Sequence, residues 1–165
     1  MNRRGAKAAR PGCHRAAAGL IGACAAYQTA LGTYFVAFRP SLLPEDLRFL
    51  GTTAARLLAD QPRLEQWLNL VLGVLGGQMA ALGLLLAALA VRLARGRAMD
   101  RHEVVLFALA GILSVALMAG VNFALASNFR WILVVPVLTW SIGIALAAFG
   151  SVAVPVKAGE HPHAR

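Results

Sequence analysis

The sequence predicts an all-α integral membrane protein, a four-helix bundle with one amphipathic helix in its first outer loop. The composition is the first reason: 59% of the residues are hydrophobic and 14% are charged, against roughly 45–50% and 25% in soluble domains. The second reason is a set of four apolar runs at 16–38, 67–91, 104–127 and 131–154. Each run exceeds the ~20 residues that a helix needs to cross the hydrocarbon, and none has a charged residue or a histidine in its interior. Backbone groups in lipid must be paired within their own segment, so the spans are predicted to be helical.

The rest of the chain divides around these spans. Residues 1–15 are predicted to be a basic cytoplasmic tail, interrupted by Pro11-Gly12, and residues 155–165 a second cytoplasmic tail. Residues 16–154 form the predicted membrane domain, whose only long connection is the outer loop 39–66.

The basic residues predict the orientation. Eleven Lys and Arg lie in the two tails and the loop between spans two and three, whereas five lie in the other two loops. Positive residues concentrate on the cytoplasmic side, so both termini are predicted to be cytoplasmic in a bacterial inner membrane. The net charge of +9 does not indicate nucleic-acid binding, because the basic residues flank apolar runs instead of forming a basic domain.

Aromatic residues fall at the predicted outer boundary, as in an interfacial belt. They are Tyr34, Phe35, Phe38, Trp67, Phe129 and Trp131.

The outer loop has the pattern of an amphipathic helix. Pro44 followed by two acidic residues is typical of a helix start, and leucines recur after it at helical spacing. The helix is predicted to lie on the outer membrane surface or to cap the bundle, with a break near Gly51-Thr52-Thr53.

Each span carries a row of small or polar residues at spacings of three, four or seven. Such rows let membrane helices approach each other, so they are predicted to face the bundle interior. The rows are Gly22, Ala26, Thr29 and Thr33; Asn69, Gly73, Gly76, Ala80 and Ala87; Ala108, Gly111, Val115, Asn122 and Ala126; and Pro136, Thr139, Gly143, Ala147 and Gly150.

The candidate ligand-binding residues are the polar members of these rows in the outer half, namely Thr33, Asn69, Asn122 and Thr139. They could line a small outward-facing pocket or simply hydrogen-bond between helices.

Two amides, Gln28 and Gln78, are predicted near the midplane. They are expected to bond to each other, to a neighbouring helix or to another protomer, because an unpaired amide in hydrocarbon is costly. Pro136 is predicted to kink the fourth span.

The sequence contains no motif for catalysis, a metal or a cofactor. Cys13 and Cys24 form no CxxC pair, and all four histidines lie outside the predicted spans. The segment Asp100 to Glu103 is predicted to be a solvated loop. Ile21-Gly22-Ala23-Cys24 is similar to a lipoprotein cleavage box, but the apolar stretch before it is too short, which favours a retained first span.

The stretch from Leu43 to Leu89 resembles small bacterial four-helix membrane proteins of the DoxX-like kind. The resemblance covers about a third of the chain and depends on Pro44-Glu45-Asp46-Leu47-x-Phe49-Leu50-Gly51, Gln61-Pro62-Arg63-Leu64, Leu75-Gly76-Gly77 and Leu82-Gly83-Leu84-Leu85. It implies a four-helix membrane fold, and some members are linked to respiratory or thiol redox systems. This chain departs from the relatives at Trp67-Leu68-Asn69-Leu70, where they often carry a polar or charged stretch.

The function predicted from these observations is a non-enzymatic structural, partner-binding or lipid-binding module. Its expected partners are the bilayer and either another protein or a second copy, contacted through Gln28 or Gln78. Two alternatives remain open: a small transporter or channel, and a quinone-linked redox accessory protein.

Overall fold

The computed structural model describes residues 11–151, and its regular structure over that range is entirely helical. The elements are α1 (Pro11–Ala37), α2 (Pro44–Leu50), α3 (Ala54–Asp60), α4 (Leu64–Ala94), α5 (Arg101–Gly111), a π-helical segment (Ile112–Ala116), α6 (Leu117–Ala124) and α7 (Val134–Ser151). The all-α prediction is therefore confirmed. Most of the first predicted tail, the end of the fourth predicted span and the whole second tail lie outside the described residues.

Within residues 11–151, three helical stretches are long and apolar enough to cross a membrane. They are Gly12–Ala37, Leu64–Ala94 and Arg101–Ala124, the last of which includes the π-helical segment. The fourth predicted span corresponds to a shorter apolar helix, Val134–Gly150. Each of the four predicted spans overlaps an apolar helical stretch of the described residues.

Helices α1, α4 and α5 begin earlier than the predicted spans, and α1 and α5 have identifiable local signals there. Among the described residues, α1 begins at Pro11, and proline is favoured in the first turn of a helix. Asp100 caps α5: its carboxylate accepts from the Glu103 N–H, and Glu103 accepts from the Asp100 N–H. The segment predicted as a solvated loop is therefore a helix start with a reciprocal capping box.

Pro136 does not kink the fourth span as predicted. It lies in the first turn of α7, which begins at Val134, while the residues just before form turns. The first turn of a helix has no internal acceptors for its N–H groups, so a proline there breaks no hydrogen bond.

The loop predicted to lie on the outer side contains two short helices, and the predicted break is confirmed. Gly51 ends α2 in the left-handed region, with φ of 64°, a conformation that glycine adopts without a steric penalty. Thr53 then caps α3 by accepting a hydrogen bond from the Arg56 N–H at 3.3 Å.

Helices α1 and α4 pack with their backbones in direct contact. A Cβ added to Gly76 would lie 2.6 Å from the Gly32 carbonyl oxygen, and one added to Gly83 would lie 2.7 Å from the Thr29 nitrogen and 2.9 Å from the Ala25 oxygen. Glycines at these positions let the two backbones approach each other directly, as small residues do in membrane helix pairs.

This interface differs in part from the predicted rows. On α1 it runs through Gly22, Ala25, Thr29 and Gly32, whereas the predicted members Ala26 and Thr33 are exposed. Successive residues are rotated by 100° about the helix axis, so a row assigned one residue away points to a different face. Because α1 packs against α7 as well as α4, its small residues serve two interfaces and no single row describes them.

The predicted row on α7 agrees better with the structure. Gly143 packs against Ile21, and Gly150 packs against His14. Trp140 of the same helix fills the place beside Gly111 at the end of α5, where the π-helical segment starts. The extensive helix contacts therefore run in the order α4, α1, α7, α5.

The core lies in the half of the protein that is predicted to be cytoplasmic. Its buried side chains come from the first part of α1, the last part of α4, the connection to α5 (Met99), the π-helical segment (Val115) and residues 140–147 of α7. At the opposite end, Phe38, Trp67, Phe129 and Trp131 are exposed, as expected of the predicted aromatic belt.

Candidate functional site

The four predicted ligand residues are placed on separate helices, and three of them bond within their own helix. The Thr33 hydroxyl donates to the Thr29 carbonyl at 2.9 Å, and the Thr139 hydroxyl donates to the Val135 carbonyl at 2.8 Å. Hydroxyls in helices commonly donate to the carbonyl one turn back, which removes their need for a partner on another helix.

Of the two amides in this set, one bonds within its own helix and the other is exposed. Asn122 donates from Nδ2 to the Met118 carbonyl at 2.9 Å, and Asn69 is exposed on α4. None of these bonds joins two of the four predicted residues, so a shared pocket between them stays a prediction.

The two amides predicted near the midplane lie in different environments. Gln28 is 1% exposed, and its Oε1 has no hydrogen-bond partner among the described residues. Gln78 is exposed on α4. The described residues contain no hydrogen bond between the two amides, and a contact from Gln78 to another protein or protomer stays a prediction.

A buried histidine that was not predicted from the sequence lies where α1 begins and α7 ends. His14, assigned to the tail, is 2% exposed, and its Nε2 lies 3.2 Å from the Gly150 carbonyl oxygen. This contact ties the start of α1 to the end of α7. Pro11 was the available signal, because a proline at that point also marks a helix start.

Loop residues form a second polar contact that the sequence analysis did not identify. Glu45 of α2 is buried, and its Oε1 accepts a hydrogen bond from the Ser127 hydroxyl at 3.1 Å. Ser127 belongs to the turn after α6, where Ala126 has φ of 49°. The loop that contains α2 makes a further hydrogen bond, from the Ser41 hydroxyl to Glu65 at the start of α4, at 3.5 Å. These contacts fix α2 against the ends of the long helices.

An open depression lies beside α2 and α3. Its volume is about 370 Å³, and its lining residues are Leu47, Arg48, Gly51, Thr52, Thr53 and Arg56. The lining includes two arginines and two threonines and no acidic residue, a composition whose chemistry suits an anion.

At the other end, an ion pair joins α4 to α5. Arg92 donates to Glu103 Oε1 at 2.7 Å, and both residues lie just outside the predicted spans. The pKa of the Glu103 carboxyl is lowered mainly by the hydrogen bond from Arg92 and, to a smaller extent, by the hydrogen bond from the Asp100 N–H.

The described residues contain no cluster of three or more His, Cys, Asp or Glu side chains that could hold a metal ion.

Comparisons with known proteins add no assignment to this geometry. No family model, curated protein or solved structure matches the chain. The resemblance to DoxX-like proteins therefore stays a prediction.

Proposed function

We propose that this chain is an integral membrane protein of the inner membrane, a bundle of four spanning helices that acts as a non-enzymatic partner-binding or lipid-binding module. The observation that carries the proposal is the exposure of large apolar side chains along the long helices. Leu70 and Leu84 on α4, Leu113 in the π-helical segment and Phe149 on α7 are each between 65% and 70% exposed.

The free energy of these surfaces supports a membrane. Monomeric soluble proteins rarely expose contiguous apolar patches larger than a few hundred Å². Each buried aliphatic or aromatic side chain is worth about 1.5–3 kcal/mol relative to exposure in water, so several such helical faces would be strongly unfavourable there. In hydrocarbon the same faces need no protein cover.

The helix lengths agree with spanning. At 1.5 Å per residue, the 31 residues of α4 extend roughly 46 Å, more than the ~30 Å of hydrocarbon. The charge distribution supports the orientation with both termini in the cytoplasm, since eleven of the sixteen basic residues belong to that side. The outer side would then carry α2, α3 and the exposed aromatic residues.

Insertion and orientation can be tested on cells that produce the chain. Membranes washed with carbonate at high pH should retain the protein, whereas release into the supernatant would reject insertion. In a background with Cys13→Ser and Cys24→Ser, a membrane-impermeant maleimide should label Arg63→Cys on intact spheroplasts. It should label Arg97→Cys only after permeabilisation, and the reverse pattern would overturn the orientation.

The proposed module function is tested by what the purified protein carries and does. Mass spectrometry of the protein in mild detergent should find a stoichiometric protein or lipid partner. Solute flux through proteoliposomes would instead favour a transporter or channel, and a copurified quinone with its ultraviolet absorbance would favour the redox accessory function.

A further inference from the structure

We propose that the depression between α2 and α3 binds the phosphate-bearing headgroup of an anionic phospholipid through Arg48 and Arg56. The inference deepens the proposed function and rests on membrane insertion. Its starting observation is the site of about 370 Å³ whose lining includes both arginines and no acidic residue.

The backbone brings the two arginines to the same site. Arg48 lies in the last turn of α2, and Arg56 lies in the first turn of α3. Between them, Gly51 with its φ of 64° lets the chain turn from α2 toward α3. Both arginines therefore line one depression although they are eight positions apart in the sequence.

Neither guanidinium is neutralised by another described residue. The ion pairs within residues 11–151 are Arg39 with Asp46 and Arg92 with Glu103, and the side chains of Arg48 and Arg56 make no hydrogen bond there. A guanidinium presents paired N–H donors that match phosphate oxygens. The Thr53 hydroxyl accepts from the Arg56 N–H, so its own proton remains free to donate to a ligand.

The position of the depression favours a lipid over a free anion. The Glu45–Ser127 hydrogen bond holds α2 at the end of the long helices, the end that also carries the exposed Trp67 and Trp131. Exposed Trp residues of membrane proteins concentrate at the level of the lipid headgroups. The depression is therefore expected at the same height as the phosphates of that leaflet.

Exposed apolar side chains beside the site favour a ligand that has acyl chains as well as a phosphate. Phe49 and Leu50 directly follow Arg48 and are 66% and 55% exposed. Aromatic and aliphatic side chains next to cationic ones are typical of segments that lie in the membrane interface. A phospholipid satisfies both groups, with its phosphate at the arginines and its acyl chains beside Phe49 and Leu50, whereas a free phosphate satisfies only the arginines.

Binding can be measured by titrating the purified full chain in detergent with dioctanoyl-phosphatidylglycerol. The test variant is Arg48→Gln with Arg56→Gln. The matched control is Arg63→Gln with Arg130→Gln, which removes the same charge from the same end of the protein. Basic residues near an anionic membrane surface contribute about 1 kcal/mol each, so the test variant should bind on the order of 30-fold more weakly. The control should remain within about twofold of the parent protein.

Three results would overturn the proposal: an equal loss of affinity in the two double variants, equal binding of dioctanoyl-phosphatidylcholine by the parent, or binding of inorganic phosphate as tight as that of the lipid. The variant Arg48→Lys with Arg56→Lys keeps the charge, so it should recover a large part of the lost affinity. Failure to recover any of it would also count against the site.

Folding and insertion are checked separately. All four arginines in the two variants lie outside the core cluster, so both variants should keep the parent's unfolding midpoint in detergent. Release of the chain by carbonate would end the membrane proposal and this one with it. A chain that stays in the membrane but shows no difference between the two variants would end only the headgroup site.

Discussion

Adjacent glycines on α4 give a direct test of the α1–α4 packing. Gly76 is buried against α1, whereas Gly77 is exposed and has nothing within 4 Å of an added Cβ. In Gly76→Ala the new Cβ would lie 2.6 Å from the Gly32 carbonyl oxygen and 2.8 Å and 2.9 Å from side-chain atoms of Phe35 and Val36. The nearest of these atoms belongs to the backbone of α1, so the helix itself would have to move.

The expected magnitude follows from comparing the two variants. Both replace a glycine inside the same helix by alanine, and both gain about 0.8–1.0 kcal/mol of helix propensity. Only Gly76→Ala adds a methyl group to a packed interface, where overpacking typically costs about 1–3 kcal/mol. We therefore expect Gly76→Ala to be less stable than Gly77→Ala by roughly 1–3 kcal/mol, since the propensity terms cancel.

The measurement is unfolding of the purified protein in mild detergent by titration with SDS, followed by circular dichroism. Gly83→Ala gives a second test, because its Cβ would lie 2.7 Å from the Thr29 nitrogen. If Gly76→Ala and Gly77→Ala have the same free energy of unfolding, the backbone contact between α1 and α4 is absent and the assignment of interior faces is wrong.

Three further predictions concern a turn, a loop contact and a helix–helix ion pair, and all are checked by the same unfolding measurement. Ala126→Gly should raise the free energy of unfolding by about 0.5–1 kcal/mol, because the left-handed conformation at φ of 49° is costly for alanine and permitted for glycine; a decrease would contradict that backbone geometry. Ser127→Ala should lower it by roughly 1–3 kcal/mol, because it removes a hydrogen-bond donor from the buried carboxylate of Glu45; an unchanged stability would mean that the contact does not form. The pKa of Glu103 is lowered below its ordinary 4.5 by Arg92, so its stabilising effect is present above that pH and is lost as the pH falls through the lower folded-state pKa. The free energy of unfolding of Glu103→Gln should therefore depend less steeply on pH below about 4.5 than that of the parent. Identical pH profiles would show that the ion pair does not cause the parent's pH dependence.

Part of the candidate site could be predicted from the sequence, and the reason is local. The break at Gly51-Thr52-Thr53 was predicted because glycine and threonine have specific roles at helix ends, and the structure has its turn there. The convergence of Arg48 and Arg56 on one depression was not predicted, since it depends on the angle of that turn. The periodic pattern predicted that Thr33 faces the bundle interior, but Thr33 is exposed. The prediction is wrong because an error of one residue rotates the assigned face by 100°.

The sequence by itself determined the class of structure and the approximate position of each long helix. A long apolar run without charge can pair its backbone polar groups in few ways, of which a helix is one. Local signals such as Pro44 and Gly51 mark where helices begin and end. The tertiary structure decided which small residues meet, as Gly76 does with Gly32 while Gly77 remains open. It also decided the contact of Glu45 with Ser127, which lies 82 positions further along the chain. Helix formation depends on neighbours within one or two turns, whereas these contacts depend on the rotation and height of whole helices, which no local pattern specifies.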